Sequence, residues 1–199
     1  MTSYFAPSMA QTSRPKTALV LGAGSARGFA HIGVIKAIEA AGIKPDLIVG
    51  ASAGSVIGVF YAAGYTGQQM EDIAMKVRDA DVIDQSNNSK RGLIAGAALQ
   101  KLINTFVKDK PIESLKIPFV AIATNLKNGE AIQLRTGDTG QAVRASSSMP
   151  GIFLPTSING AELVDGAISS PLPVAVARQM GAEVVIAVDV GSAPQNPQA

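Results

Sequence analysis

A serine stands at the centre of Gly50-Ala51-Ser52-Ala53-Gly54, directly after the apolar run Leu47-Ile48-Val49 and just before Ser55–Ala63, a stretch of helical character. A strand, a tight turn and a helix with serine at the apex present an ordinary hydroxyl as a nucleophile. Gly50 and Gly54 remove side chains where the backbone must turn sharply, so Oγ is pushed out of the packed layer. The helix N-terminus behind Ser52 favours negative charge developing there. The pattern alone also describes an ordinary small-residue turn. The strand before it and the helix after it are what favour a nucleophile.

A nucleophilic serine needs a base within hydrogen-bond reach. The sequence holds one histidine, His31. It falls inside a predicted helix, four residues after Arg27, and is poorly placed both to approach Oγ and to be oriented by a third group. It reads first as a packing or capping residue. Carboxylates are the alternative. Asp165 follows the short strand Glu162-Leu163-Val164 and precedes Gly166-Ala167, so it ends a strand on a turn. In an open parallel sheet the C-terminal strand ends build the site, and Ser52 and Asp165 can both lie there. Asp-Gly is also a common turn pair. Asp189, in Val188-Asp189-Val190, is the second candidate, while Asp138 and Asp46 read as turn and strand-start residues. A Ser–Asp pair has no imidazole to shuttle the proton, so its carboxylate needs a raised pKa or a dry site.

A second glycine stretch, Gly22-Ala23-Gly24-Ser25-Ala26-Arg27-Gly28, lies between the first predicted strand and helix. Such a loop lets backbone N–H groups converge on an anion. The anion is a pyrophosphate in a dinucleotide site and an oxyanion in an acyl-transfer site. A dinucleotide site also wants an acid about 20 residues on, at the end of the second strand. Asp46 stands at that strand's start, and its end carries Ser52. A nucleotide-binding module is therefore the weaker alternative, and a plain tight turn stays open beside it.

Composition removes other chemistries. With no cysteine, disulfides, thiolate catalysis and Cys-ligated zinc are excluded, and one histidine excludes a His-rich metal site. A net charge of +2 is too small to imply nucleic acid. Apolar residues make up 47% of 199, enough for one domain with a substantial core. No apolar run approaches the ~18 residues of a membrane-spanning helix. Residues 1–16 are polar, do not read as a secretory signal, and are expected to form a flexible leader, as residues 193–199 form a flexible tail. The expected location is the cytoplasm.

The elements that must position these residues follow from periodicity. Thr17–Gly22 reads as a buried strand and Gly28–Ala41 as a helix with one apolar face, stopped by Gly42. Leu47–Ala51 is the next strand, and Gly64 ends the helix after Ser52. This β-α-β-α opening predicts a parallel sheet with right-handed crossovers. Further helices are expected over Gly67–Arg78, Leu93–Val107, Thr139–Ser146 and Pro173–Met180, with a polar loop at Ser86–Arg91. Further strands are expected over Ile117–Thr124, Ala131–Leu134, Glu162–Val164 and Glu183–Val190, the last buried on both faces. Together they make one three-layer α/β/α domain over residues 17–192, with a mainly parallel central sheet.

In order, Gly24-Ser25-Ala26-Arg27-Gly28, Gly50-Ala51-Ser52-Ala53-Gly54 and Asp165-Gly166-Ala167 resemble the patatin-like phospholipase family, its bacterial members in particular. Arg27–Val34 is similar to the segment that follows the family's oxyanion loop, and Ala145–Phe153 to the one before its catalytic aspartate. The resemblance implies lipid acyl-ester hydrolysis with Ser52 as nucleophile and Asp165 as base, without metal or organic cofactor. It assigns the backbone of Gly24, Ser25 and Ala26 to an oxyanion hole and makes Arg27 the loop's cation. The loop departs from the family's run of three glycines, since Ala23 and Ser25 flank Gly24. A catalytically silent interaction domain of the same ancestry is a further alternative.

An acyl chain needs an apolar groove, and Val56, Phe60 and Tyr61 follow the nucleophile on its helix. Leu99, Leu102, Ile103 and Phe106 share one face of the predicted Leu93–Val107 helix, flanked by Lys90, Arg91, Lys101, Lys108 and Lys110. Apolar stripes at this spacing are usually core. The alternative is a lid, or a helix in peripheral contact with an anionic membrane.

Overall fold

The computed structural model describes residues 16–86 and 90–191. The expected leader up to residue 15, the expected tail 193–199 and the middle of the polar loop lie outside the described residues. In chain order, β1 (Thr17–Leu21), α1 (Ala30–Ala40), β2 (Leu47–Ala51) and α2 (Ala53–Ala63) open the domain. Next come α3 (Gly67–Ala74), α4 (Asp79–Val82), β3 (Gly92–Ile94), α5 (Ala97–Val107), β4 (Phe119–Asn125), β5 (Ala131–Leu134) and α6 (Thr139–Ser146). Last are β6 (Gly151–Phe153), β7 (Thr156–Ile158), β8 (Ala161–Asp165), α7 (Val174–Gln179) and β9 (Val184–Val188).

The main sheet runs β7-β8-β4-β2-β1-β9, with β5 also against β4. Its centre is parallel: β4, β2, β1 and β9 share one direction. Strands β5 and β8 each pair antiparallel with β4, and β7 pairs antiparallel with β8. Strands β1 and β2 are almost wholly buried, as their unbroken apolar runs require. One large core lies between the sheet and α1, α2, α3, α5 and α6. A smaller core on the other face is covered by α7 through Val176 and Ala177. The third layer is therefore thin among the described residues.

Three expectations change. Leu93–Val107 is not one helix: β3 occupies its start, and Gly96, at φ 83°, turns the chain into α5. The Asp84 carboxylate accepts from the N–H groups of Gly96, Ala97 and Ala98, so an acid from another segment fixes where α5 begins. Leu99, Ile103 and Val107 are buried, which makes α5 a core helix. The expected Gly67–Arg78 helix ends at Ala74 and restarts as the short α4. The last strand, β9, is half exposed rather than buried on both faces, because it pairs with β1 alone among the described residues. No helix among the described residues is long and apolar enough to cross a membrane.

The register of β4 decides the site. Its residues Phe119–Ile122 pair with Ile48–Ala51 of β2, and its residues Ala123–Asn125 pair with Asp165–Leu163 of β8. Strand β5 lies against Ala121–Thr124. A strand has only two edges, so β2 and β8 must share the edge that β5 does not use. They meet head to head, with Ala51 beside Ile122 and Asp165 beside Ala123. The next residue along β2 is Ser52.

Candidate active site

Ser52 leaves β2 at φ 52° and ψ −124° and caps α2, whose first turn folds back on it. The Ser55 N–H and hydroxyl both donate to the Ser52 carbonyl, at 2.8 and 2.7 Å. Positive φ in a non-glycine residue is uncommon and marks strain held by its surroundings. Two contacts hold it here. The Ser52 N–H donates to Ser146 Oγ at 3.0 Å, at the buried C-terminal end of α6. The start of α2 packs so closely on β1 that a Cβ at Gly54 would stand 2.1 Å from the Leu21 carbonyl oxygen, so only glycine fits there.

Ser52 Oγ donates to Asp165 Oδ2 at 2.7 Å. Both residues are buried, Asp165 to 2% exposure. Asp165 is fixed at every polar atom. Its Oδ1 accepts the Ala167 N–H at 2.8 Å, its own N–H donates to the Ser148 carbonyl at 2.9 Å, and its carbonyl accepts from Thr124 Oγ1 at 2.8 Å. Gly166 lets the chain turn tightly against β4, where a Cβ would stand 2.1 Å from the Ile122 carbonyl oxygen. Burial holds the Asp165 carboxyl above the usual carboxylate value, against the lowering effect of the Ala167 N–H and the Ser52 hydroxyl. A carboxylate raised in this way is a stronger base toward a hydroxyl proton.

The glycine loop folds into a 3₁₀ turn over Ser25–Phe29 in front of α1. Ser25 takes φ 50°, a left-handed conformation that glycine adopts more freely. The Arg27 N–H closes the turn on the Gly24 carbonyl at 3.0 Å. Ser25 and Ala26 line a cavity of about 520 Å³ together with Ser52 and Asp165, a size ordinary for a small-molecule site. The rest of its wall is largely apolar, with Phe29, Val56, Ile57, Val82, Leu99 and Ile152. The Arg27 guanidinium donates to the Gly191 carbonyl, tying the loop to the chain after β9.

The other titratable candidates lie elsewhere. His31 is wholly buried with Nε2 2.8 Å from the Gly22 carbonyl, and burial lowers its pKa, so a neutral ring donates there and props the loop. Asp189 accepts the Gly191 N–H. Asp46 accepts the Thr17 N–H, and Asp138 caps α6. Sequence reasoning missed the supports: Ser146, Ser148 and Thr124 bind only backbone groups of the pair. The signal for the first two lay in the Ala145–Phe153 segment, where Ser146-Ser147-Ser148 links α6 to the site.

A family model described as patatin-like phospholipase matches residues 19–178. The chain belongs to the patatin-like phospholipase family. It is 34% identical over 192 residues to an NTE family protein of Mycobacterium tuberculosis, covering 94% of this chain and 52% of that one. It is 38% identical over 183 residues to human patatin-like phospholipase domain-containing protein 6, covering 88% of this chain and 13% of the human one. A lysophospholipase of Emericella nidulans is 35% identical over 199 residues, covering 89% of this chain and 12% of its own. The chain thus spans about half, or much less, of the length of the curated relatives it matches. Among solved structures, VipD from Legionella pneumophila matches with TM-score 0.52 at 14% identity, over 81% of this chain and 47% of that one. The type III effector ExoU matches with TM-score 0.50 at 14% identity, over 71% of this chain and 40% of that one. The patatin-like fold is the fold observed, and the motifs that carry the family resemblance are those whose residues line or brace the cavity.

Proposed function

We propose that the protein is a serine acyl-ester hydrolase of lipids, working through a Ser52–Asp165 dyad. The 2.7 Å bond from Ser52 Oγ to a buried Asp165 carboxylate carries this reading. Oγ attacks the ester carbonyl while its proton passes to Asp165 Oδ2. The oxygen of the tetrahedral intermediate is held by loop N–H groups of Gly24, Ser25 and Ala26. Collapse expels the alcohol, which takes the proton from Asp165, and leaves an acyl-Ser52 ester. Water attacks that ester, giving its proton to Asp165, and the fatty acid leaves as Ser52 recovers the proton. The dyad has Asp165 alone to carry the proton both ways, which suits a carboxyl whose pKa burial has raised.

The family and the lysophospholipase among its relatives support a phospholipid or lysophospholipid as substrate. Exposed Phe29, Ile83 and Ile152 rim the cavity and support peripheral contact with a lipid surface. The test is a panel of phospholipids and lysophospholipids, presented as micelles and as vesicles, with released fatty acid identified by mass spectrometry. The wild type releases fatty acid and co-sediments with vesicles at low salt. Release that persists in Ser52→Ala would overturn the reading.

A further inference from the structure

A second cavity, of about 200 Å³, lies behind the first. The two share walls made by Phe29, Val56, Ile57, Asp79, Val82 and Leu99, so they are one space with a waist. The rear part runs between α2, α3, α4 and α5 and is lined by apolar residues that include Phe60, Met70, Ala74 and Leu102. Charge stands at its edge, where Arg78 and Asp79 are both exposed and Arg78 pairs with Asp81 at 3.1 Å. An apolar cavity of comparable size, about 150 Å³, stays dry and takes hydrocarbon.

Resting on the hydrolase reading, we propose that the rear cavity receives the distal half of the acyl chain whose carbonyl is at Ser52, and that its far walls set the chain length. The occupant follows from continuity. A chain attached at Ser52 can enter along α2, past Val56 and Ile57, between shared walls that are apolar except for the exposed Asp79 at the rim. Phe60, eight residues beyond Ser52 on α2, marks a depth of about 12 Å at 1.5 Å per residue, the reach of roughly ten carbons. Selection by this space acts on one straight chain and not on the head group, which stays at the mouth near Ile83 and Ile152.

The far walls offer opposite substitutions. Ala74, at the end of α3, is small and half-buried, so Ala74→Phe fills the rear cavity from outside the catalytic pair. Leu102→Ala enlarges it from α5. Each buried methylene is worth about fourfold in kcat/KM, from about 0.8 kcal/mol. With p-nitrophenyl esters of two to sixteen carbons, the wild type rises by about that factor per methylene to about ten carbons and then flattens. Ala74→Phe removes room for about three methylenes and lowers the decanoate-to-butyrate ratio of kcat/KM about fiftyfold. Leu102→Ala moves the plateau to longer chains. The wild-type profile in both variants, each folded by thermal melting, overturns the proposal while leaving the hydrolase reading intact. A readout without turnover separates the two further. By calorimetry, Ser52→Ala binds decanoic acid, and adding Ala74→Phe weakens that binding at least tenfold. This result supports the cavity assignment even if no ester is hydrolysed, and equal binding by the two overturns it.

Discussion

Ser52→Ala and Ser52→Gly both delete the hydroxyl and its 2.7 Å bond to Asp165, so the loss of that contact cancels in their difference. What remains is the backbone. Only alanine keeps a Cβ at φ 52° and ψ −124°. Holding a non-glycine residue in so sparsely populated a region costs about 1–3 kcal/mol. Against that, glycine loosens the unfolded chain by about 0.4–1 kcal/mol relative to alanine. Taking midpoints, Ser52→Gly is the more stable variant by about 1 kcal/mol. In a domain of this size that is a Tm higher by about 2–4 °C. Urea unfolding followed by circular dichroism, and calorimetry at the same pH, both read the difference. An alanine variant as stable as the glycine variant, or more stable, refutes the idea that the elbow stores strain.

Asp165→Asn abolishes hydrolysis, because the amide cannot take the serine proton. In the wild type, kcat/KM falls as pH drops through the Asp165 pKa, and that limb lies above the ordinary aspartate value of about 3.9 because burial raises the carboxyl. Stability runs the other way. The folded state holds this proton more tightly than the unfolded state, so the stabilisation from protonation is complete below the unfolded value and lost as pH rises through the folded one. Asp165→Asn is therefore at least as stable as wild type at pH 7, and the gap closes on acidification; a variant clearly less stable at pH 7 refutes this. His31→Phe leaves the Gly22 carbonyl without its 2.8 Å donor and costs about 1–3 kcal/mol by denaturant unfolding. The acid limb of its pH profile stays in place, and a displaced limb would make His31 part of the proton path.

The pieces of the site were legible in the sequence, but their meeting was not. Leu47–Ala51, the Ser52 turn and the helix to Gly64 are local patterns, set by apolar runs and glycines within a few residues. Pairing is not local. Nothing in Glu162–Val164 says that β8 runs antiparallel to β4 or that it takes over the edge β2 leaves, yet that register puts Asp165 at Ser52. Nor does an apolar run distinguish a central strand from an edge, so Glu183–Val190 read like Leu47–Ala51. The break at Gly96 was hidden for a related reason. The acid that caps α5 is Asp84, which lies before the break, across the loop and β3. Ser146 and Thr124 read as ordinary polar residues because their role is to hold backbone atoms of distant residues.

The central claim is that Ser52 Oγ is activated by Asp165. A fluorophosphonate probe, with the adduct mapped by peptide mass spectrometry, tests it most directly. The account predicts one labelled residue, Ser52, with labelling absent in Ser52→Ala and strongly reduced in Asp165→Asn. An unlabelled wild type, or undiminished labelling of Ser52 in Asp165→Asn, would contradict it.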